Sequence, residues 1–244
     1  MSKNNLMIYK PVVWVTGASR GIGKEVAKEF ASLGFIVCIS ARNKKDLVRV
    51  AGEIKSLGGT VYVFPMDISK YQSFPKIHKK ICDEVGNVDI LVNNAGITSF
   101  KPFIETEHFL IKKILETNLI GPIFLISEVL NSMVKRKRGS IINIISMVAK
   151  NTYKGSSVYT ASKSGLLGFG NVIREELRTQ GIKIINIIPG ATGTDIWHPK
   201  VKKKYGWRMM SPKSVAEAIV NAYQTSDDLN VEEIIVRPLL GDLN

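Results

Sequence analysis

The chain has 244 residues, 45% of them hydrophobic, which is enough for one large α/β domain with a sizeable core. Its 34 Lys and Arg residues against 21 Asp and Glu residues give a net charge of +13, which favours anionic ligands. No helix-turn-helix, zinc-finger or RNA-binding signature accompanies this charge. We therefore expect a solvated basic surface rather than a nucleic-acid-binding one.

The sequence lacks the patterns typical of secretion, membrane insertion and metal binding. The two cysteines, Cys38 and Cys82, have the spacing of neither a metal site nor a redox pair. This cysteine usage indicates the reducing cytosol. Residues 1–10 contain no continuous apolar core, and no run approaches the roughly 20 apolar residues of a membrane helix. We expect a cytoplasmic protein without membrane contact and, with three histidines and no Cys/His cluster, without a metal site.

The beginning of the chain predicts a strand, a glycine-rich turn and a helix. An apolar run at 12–15 precedes Thr16-Gly17-Ala18-Ser19-Arg20-Gly21-Ile22-Gly23, and helical periodicity follows. Gly17 can adopt a backbone conformation closed to other residues, while Gly21 and Gly23 would leave room for a bound pyrophosphate. The helix would direct its free N–H groups at that phosphate. A purely structural turn is the alternative, since the spacing is not G-x-G-x-x-G.

Strands and helices are predicted to alternate along the rest of the chain. Further strands are expected at 35–40, 61–64, 88–92, 140–146, 183–188 and 233–237, and further helices at 44–57, 69–85, 105–135, up to about 180, and 212–224. Pro122 predicts a kink or break in the helix at 105–135. Residues 191–211 show no clear periodicity and are predicted to form a lid on the substrate side. This alternation predicts one doubly wound parallel sheet with helices on both faces, in a single domain spanning 1–244.

The ends of the second and third strands bear on the choice of nucleotide. Enzymes that prefer NAD place an acidic residue after the second strand to bind the ribose 2′-hydroxyl. This chain has Ala41-Arg42 instead, and the guanidinium groups of Arg42 and Arg20 could pair with the 2′-phosphate of NADP. The sequence thus predicts NADP(H), with two ordinary surface arginines as the alternative. Asp67 could accept a hydrogen bond from adenine or cap the next helix.

A tyrosine and a lysine four residues apart are the candidate catalytic pair. Tyr159 and Lys163 would lie on one face of a helix, one turn apart. An ammonium near a phenol lowers its pKa from about 10, as a general acid–base near neutral pH requires. Ser146, at the end of a neighbouring strand, could hydrogen-bond a substrate oxygen. Tyr-x-x-x-Lys is common, but with the phosphate turn upstream these residues fit one mechanism.

Together these motifs resemble the short-chain dehydrogenase/reductase family over nearly the whole chain. The matching motifs, in the family order, are Thr16-Gly17-x-x-x-Gly21-x-Gly23, Asn93-Asn94-Ala95-Gly96, Asn118, Ser146, Tyr159-x-x-x-Lys163 and Pro189-Gly190-x-x-x-Thr194. The resemblance implies a Rossmann-type sheet of seven parallel strands in the order 3-2-1-4-5-6-7. It also implies an oxidoreductase that forms a homodimer or homotetramer through the helices that carry Asn118 and Tyr159.

The resemblance further implies roles for individual residues. Tyr159 would donate or accept the proton, with Ser146 orienting the substrate carbonyl. Lys163 would bind the nicotinamide ribose and tune Tyr159, and Asn118 would hold a water in the proton relay. These four are the expected catalytic residues. The expected cofactor-binding residues are Gly17, Ser19, Arg20, Gly21, Ile22, Gly23, Arg42, Asp67, Asn94, Ala95, Gly96, Tyr159, Lys163, Pro189, Gly190 and Thr194.

The substrate stays open at the level of sequence. The chain most resembles 3-oxoacyl-[acyl-carrier-protein] reductases and general carbonyl reductases, and its charge would suit an acidic carrier protein or a CoA thioester. Its C-terminus departs from many such reductases, because Ile234-Ile235-Val236-Arg237-Pro238-Leu239-Leu240-Gly241-Asp242 replaces a strand followed by Asp-Gly-Gly. A small ketone, diketone or pterin-like substrate is the alternative. A second class, an NADP-sensing regulator or nucleic-acid-binding protein on the same fold, is disfavoured because all four catalytic positions are present.

Three loops are expected to shape the pocket: those at 97–103, at 147–154 and after Thr194. Trp197 and Trp207 would pack in the lid, and His198 would be a surface or lid residue. The lysine run at 200–204 is expected to be solvated rather than a partner-binding patch.

Overall fold

The computed structural model describes residues 9–226 and 228–243, so the expectation for the first ten residues falls mostly outside the described part of the chain. Within the described residues, seven parallel strands form one sheet in the order β3-β2-β1-β4-β5-β6-β7. The strands are β1 (Val12–Thr16), β2 (Ile36–Ser40), β3 (Thr60–Val63), β4 (Val88–Asn93), β5 (Gly139–Ile144), β6 (Ile182–Pro189) and β7 (Glu233–Val236). The predicted doubly wound sheet and its strand order are confirmed.

Helices cover both faces of this sheet. They are α1 (Gly21–Ser32), α2 (Lys44–Ser56), α3 (Phe74–Glu84), α4 (His108–Leu115), α5 (Gly121–Lys135), α6 (Ser157–Leu177), α7 (Pro199–Tyr205) and α8 (Pro212–Tyr223). The central strand β1 shows why both faces need cover, since all five of its residues are buried. Val13 and Val15 pack in the core beneath α1, α2 and α8, whereas Val12 and Trp14 pack in the core beneath α3, α5 and α6.

The proline at position 122 does interrupt its helix, but without breaking it. A π-helical segment, Glu116–Ile120, joins α4 to α5, and Pro122 lies in the first turn of α5. Proline has no N–H to bond the carbonyl four residues earlier, so the helix widens just before it. A Cβ on Gly121 would lie 2.2 Å from the carbonyl oxygen of Ile68, which explains the glycine beside the proline.

The lid at 191–211 is more ordered than its sequence pattern predicts. It contains the short helix α7 and a 3₁₀ turn at Gly206–Arg208. The His198 side chain caps α7 by accepting a hydrogen bond from the Lys200 N–H, and Pro199 starts the helix. The lysine run lies on this helix, and Lys202 pairs with Asp195 at 2.9 Å. Seven residues make two turns, which are too few to show a clear period.

Buried amides align the strands that carry the site. The side chain of Asn93 on β4 donates to that of Asn143 on β5, which donates to Asn186 on β6, each at 3.1 Å. These hydrogen bonds join β4, β5 and β6 in register near their carboxyl ends, the edge of the sheet at which ligands bind in such folds. No helix of the described residues is long and apolar enough to cross a membrane. The cytoplasmic location and the homo-oligomer stay predictions.

Candidate active site

The glycine turn after β1 leaves the start of α1 open to a ligand. Gly17 and Gly21 have φ values of +66° and +58°, the left-handed region that glycine tolerates. Arg20 is the residue just before α1, and no side chain of the described residues accepts a hydrogen bond from the first N–H groups of this helix. By contrast, the side chain of Asn43 caps α2 and that of Ser211 caps α8. The first N–H groups of α1 are thus available for an anion, as the sequence predicts.

Two side chains tie this turn to the loop after β4. The Thr16 hydroxyl accepts hydrogen bonds from the N–H groups of Asn94 and Ala95, at 3.0 and 3.1 Å. The Asn94 amide in turn donates to the carbonyl oxygens of Thr16 and Gly17, at 2.9 and 3.2 Å. The two loops on either side of the strand-order reversal are therefore held as one rigid unit.

Gly23 has a different place from the one expected. It does not line the cleft where a pyrophosphate would lie; a Cβ there would come within 2.3 Å of the Asn94 side-chain nitrogen and 2.7 Å of the Gly17 carbonyl oxygen. Its small size lets α1 pack closely against the two loops. Gly21 does line the cleft, and a Cβ there would meet Thr194 of the lid at 3.1 Å.

A cavity of about 460 Å³ extends from the glycine turn across the ends of β1, β2 and β4; we call it the cofactor-side cavity. Its walls include these predicted cofactor-binding residues: Gly17, Ser19, Arg20, Gly21, Ile22, Arg42, Asp67, Asn94, Ala95, Gly96 and Thr194. Arg20 and Arg42 are exposed, and within the described residues neither has a carboxylate within ion-pair distance. Two unpaired cations therefore border the place where a 2′-phosphate is expected.

Asp67 and Asp195 also line the cofactor-side cavity. The Asp67 carboxylate accepts hydrogen bonds from the Ser69 N–H and hydroxyl, at 3.0 and 2.8 Å, so it stabilises the following turn. The hydrogen bond from Lys202, assisted by the charges of Lys202 and Arg20, lowers the pKa of Asp195. The lid thus presents a carboxylate within electrostatic reach of Arg20.

The second cavity, of about 640 Å³, lies over the ends of β5 and β6; we call it the substrate cavity. Predicted site residues in its walls are Ile22, Asn94, Gly96, Ser146, Tyr159, Lys163, Pro189, Gly190 and Thr194. Five of these lie in β5, α6 or β6 or within two residues of their ends, so the sheet edge brings the expected catalytic groups to one side. The remaining wall is mostly apolar, and Phe100 stacks on Trp197 with ring centroids 5.9 Å apart.

Burial controls the charge state of the catalytic pair. Burial raises the pKa of Tyr159 above its ordinary 10.0, and a hydrogen bond with Ser146 only partly offsets this. Burial lowers the pKa of Lys163 from 10.5 to about 8, and its ammonium donates to the Ile144 carbonyl oxygen at 2.7 Å. The expected lowering of the tyrosine pKa by the lysine is therefore wrong for the protein alone, because desolvation outweighs any attraction.

Asn118 lies behind the cavity walls, fully buried in the π-helical segment. Its side-chain oxygen accepts from the Ile97 N–H at 2.9 Å, and its nitrogen donates to the Ile97 carbonyl oxygen and the Ser162 hydroxyl. A Cβ on Gly96 would lie 3.4 Å from this oxygen and 3.7 Å from the Lys163 ammonium nitrogen. Asn118 therefore fixes the loop after β4, and its water-holding role stays a prediction.

Several residues of the substrate cavity were missed at the level of sequence. Asp242 and Leu243, from the end of the chain, line it beside Tyr153 of the loop at 147–154. Tyr153 donates its hydroxyl to the Asp242 carboxylate at 2.6 Å. The sequence showed that this C-terminus was unusual, but nothing in it indicated contact with a loop almost ninety residues away. No group of three or more His, Cys, Asp or Glu side chains in the described residues could hold a metal ion.

Comparisons with known proteins agree with this geometry. A family model described as short chain dehydrogenase matches residues 11–205. The sepiapterin reductase of Chlorobaculum tepidum is 31% identical over 241 residues, covering 96% of this chain and 98% of that protein. A 3-oxoacyl-[acyl-carrier-protein] reductase of Aquifex aeolicus is 32% identical over 215 residues, covering 84% of this chain and 87% of the relative.

A solved structure also resembles the whole fold. It is a metagenomic short-chain oxidoreductase in complex with NADP, with a TM-score of 0.83 and 31% identity. The match covers 93% of this chain and 96% of that one. The similarity therefore extends over nearly the whole chain, not the nucleotide-binding half alone.

Proposed function

The chain belongs to the short-chain dehydrogenase family, and from this premise we propose that it is an NADP(H)-dependent oxidoreductase that interconverts a carbonyl compound and its alcohol. The observation that carries the proposal is the meeting of Ser146, Tyr159 and Lys163 in one apolar cavity adjoining the cofactor-side cavity. Bound NADPH would supply a hydride to the carbonyl carbon.

The cofactor-side cavity fits a phosphorylated dinucleotide. The uncapped start of α1 and the left-handed glycines at 17 and 21 would hold the pyrophosphate. Arg20 and Arg42 would hold the 2′-phosphate, since no acidic residue ends β2 and both guanidinium groups lack an ion-pair partner within the described residues. The solved relative in complex with NADP supports this choice of nucleotide.

The buried tyrosine is suited to giving up a proton to a carbonyl oxygen. Because burial raises its pKa, Tyr159 is protonated throughout the neutral range and can act as a general acid. Ser146 would donate a hydrogen bond to the same oxygen, and the Lys163 ammonium would stabilise the phenolate that forms. These groups favour carbonyl reduction at neutral pH, whereas alcohol oxidation would need the deprotonated tyrosine.

The walls of the substrate cavity favour a compact, flat carbonyl compound. Phe100, stacked on Trp197, also lies edge-to-face with the Tyr159 ring, with centroids 6.3 Å apart, so an aromatic pair borders the proton donor. The similarity to a sepiapterin reductase over nearly its whole length agrees with such a substrate. A small ketone, diketone or pterin-like compound is therefore our first candidate.

A 3-oxoacyl thioester is the second candidate. The net charge of +13 would suit an acidic carrier protein or a CoA ester, and a 3-oxoacyl-[acyl-carrier-protein] reductase is among the relatives. The C-terminal residues Asp242 and Leu243, however, occupy one wall of the substrate cavity. A long thioester would have to approach from another side.

The test combines cofactor binding with turnover. Titration of tryptophan fluorescence should show tighter binding of NADPH than of NADH, and a screen with NADPH should cover small ketones, diketones, pterins and acetoacetyl-CoA. Tyr159→Phe should lower kcat about 10³-fold while NADPH binding is unchanged, because only the proton donor is lost. Tyr62→Phe, on β3 away from both cavities, should behave as the wild type.

Two outcomes would contradict the proposal. If Tyr159→Phe reduced the best substrate at the wild-type rate, the tyrosine would not be the proton donor. If neither dinucleotide bound, the nucleic-acid-binding alternative would take its place, and a gel shift with RNA and DNA at several salt concentrations would test it.

A further inference from the structure

Two segments that are far apart in sequence close the outer side of the substrate cavity. The lid contributes Ile196, Trp197, Val201 and Tyr205 to its walls. The end of the chain contributes Asp242 and Leu243. We call residues 238–243 the C-terminal segment. Neither segment carries Ser146, Tyr159 or Lys163, so both shape the space for the substrate without supplying the reacting groups.

The C-terminal segment is anchored through the Asp242 carboxylate. One carboxylate oxygen accepts hydrogen bonds from the Tyr153 hydroxyl at 2.6 Å and from an Arg237 guanidinium nitrogen at 2.8 Å. A Cβ built on Gly190 would lie 3.3 Å from the other oxygen. The segment therefore rests against the turn that follows β6, which also lines the substrate cavity.

Arg208 joins the lid to this segment. It lies in the 3₁₀ turn after α7, and one of its guanidinium nitrogens donates to the carbonyl oxygens of Leu240 and Asp242, at 3.1 and 3.3 Å. Within the described residues, these are the hydrogen bonds that connect residues 191–211 to the C-terminal segment. Among the described residues the Arg208 guanidinium forms no ion pair with a carboxylate. Its hydrogen bonds go to main-chain carbonyl oxygens.

We infer that Arg208 is a positioning residue that makes the lid and the C-terminal segment close over the substrate as one unit. The inference rests on the proposed function for its substrate, and it names the residue that sets the outer wall of the same site. A substrate that enters must displace or order the lid, and Arg208 then orders the wall carrying Asp242 and Leu243 at the same time. Loss of this link should weaken substrate binding and leave the chemistry at Tyr159 intact.

The test compares Arg208→Gln with Lys203→Gln, which removes the same charge from an exposed position of the same lid. Hydrogen exchange of the peptide covering 238–243 should be faster in Arg208→Gln than in the wild type, and unchanged in Lys203→Gln. For the best carbonyl substrate, Arg208→Gln should raise KM about tenfold, the effect of losing hydrogen bonds from a charged donor. The kcat and the dissociation constant of NADPH should stay within about twofold of the wild type.

Arg208→Lys separates positioning from general stability, because lysine can still donate to the two carbonyl oxygens. It should restore most of the exchange protection and of the KM. Equal exchange of the C-terminal segment in Arg208→Gln and Lys203→Gln would overturn the inference, as would a fall in kcat with KM unchanged. The exchange measurement needs no turnover, so it decides the inference even if the proposed function fails.

Discussion

The two cavities share one edge of the sheet but are built differently. The cofactor-side cavity is formed mainly by the turns that directly follow β1, β2 and β4, tied together by Thr16 and Asn94. The outer wall of the substrate cavity comes from the lid and the C-terminal segment. The first cavity is therefore a consequence of the strand order, whereas the second depends on contacts between distant loops.

Their chemistry differs in the same way. The cofactor-side cavity offers free N–H groups and two guanidinium groups that have no ion-pair partner among the described residues, which suit a large anion. The substrate cavity offers aromatic faces and a buried tyrosine and lysine. A scaffold of this kind can keep its cofactor while its substrate changes with the loops.

The largest effect is expected where the turns of the cofactor-side cavity pack most closely. Gly23→Ala places a methyl group 2.3 Å from the Asn94 nitrogen, so the turns must separate; NADPH should bind at least about 100-fold more weakly, and stability should fall by about 1–3 kcal/mol. Gly52→Ala, in the middle of α2 with nothing within 4 Å of the new methyl group, should raise stability by about 0.5–1 kcal/mol. Chemical denaturation and NADPH titration check both. Similar binding in the two variants would show that the packing of the turns does not control the cavity.

A smaller effect is expected for the nucleotide specificity of the same cavity. The double variant Arg20→Gln/Arg42→Gln should bind NADPH about 30-fold more weakly, since two charge-assisted contacts to the 2′-phosphate are lost. NADH binding should hardly change. Lys45→Gln, which removes a neighbouring exposed charge outside the cavity wall, is the control. Equal weakening of NADPH and NADH would place the arginines away from the 2′-phosphate.

The substrate cavity should respond independently of the cofactor-side cavity. Phe100→Leu removes the face that stacks on Trp197 and should raise the KM for a flat carbonyl substrate about fivefold, the loss of one aromatic pair. NADPH affinity should be unchanged. Phe103→Leu, a substitution at a residue that is 64% exposed and outside the cavity wall, is the matched control. An equal KM for the two variants would show that the stacked pair of Phe100 and Trp197 does not contact the substrate.

The burial of Lys163 in the wall of the substrate cavity should make stability depend on pH. Its pKa is about 8 in the folded protein and near 10.5 when unfolded, so between these values the unfolded chain binds more protons. The free energy of unfolding should therefore rise with pH across this window, relative to Lys163→Met, by up to about 3 kcal/mol. Urea denaturation of both proteins from pH 7 to 10.5 measures the difference, in which other titrating groups cancel. Parallel profiles would mean that the ammonium is not desolvated.

Parts of the site could be predicted because they depend on neighbours in the chain or sheet. Gly17 was expected in a left-handed conformation, and the structure places it there. The strand ends and the glycine turn together imply where a dinucleotide binds. Gly23 was misplaced, because a glycine that faces a ligand and one that faces a neighbouring loop look alike in a sequence.

The sequence by itself determined the sheet, its strand order through the resemblance, and the residue types of both the phosphate turn and the catalytic pair. Alternating apolar strands and amphipathic helices leave few arrangements that bury both faces of a sheet. The local sequence pattern is therefore enough to predict the sheet. Only the tertiary structure decided that burial raises the Tyr159 pKa, that Asn118 binds the loop at Ile97, and that Arg208 meets the C-terminal segment. Desolvation and long-range contacts depend on what the whole chain brings together around a group, and no local pattern of residues contains that.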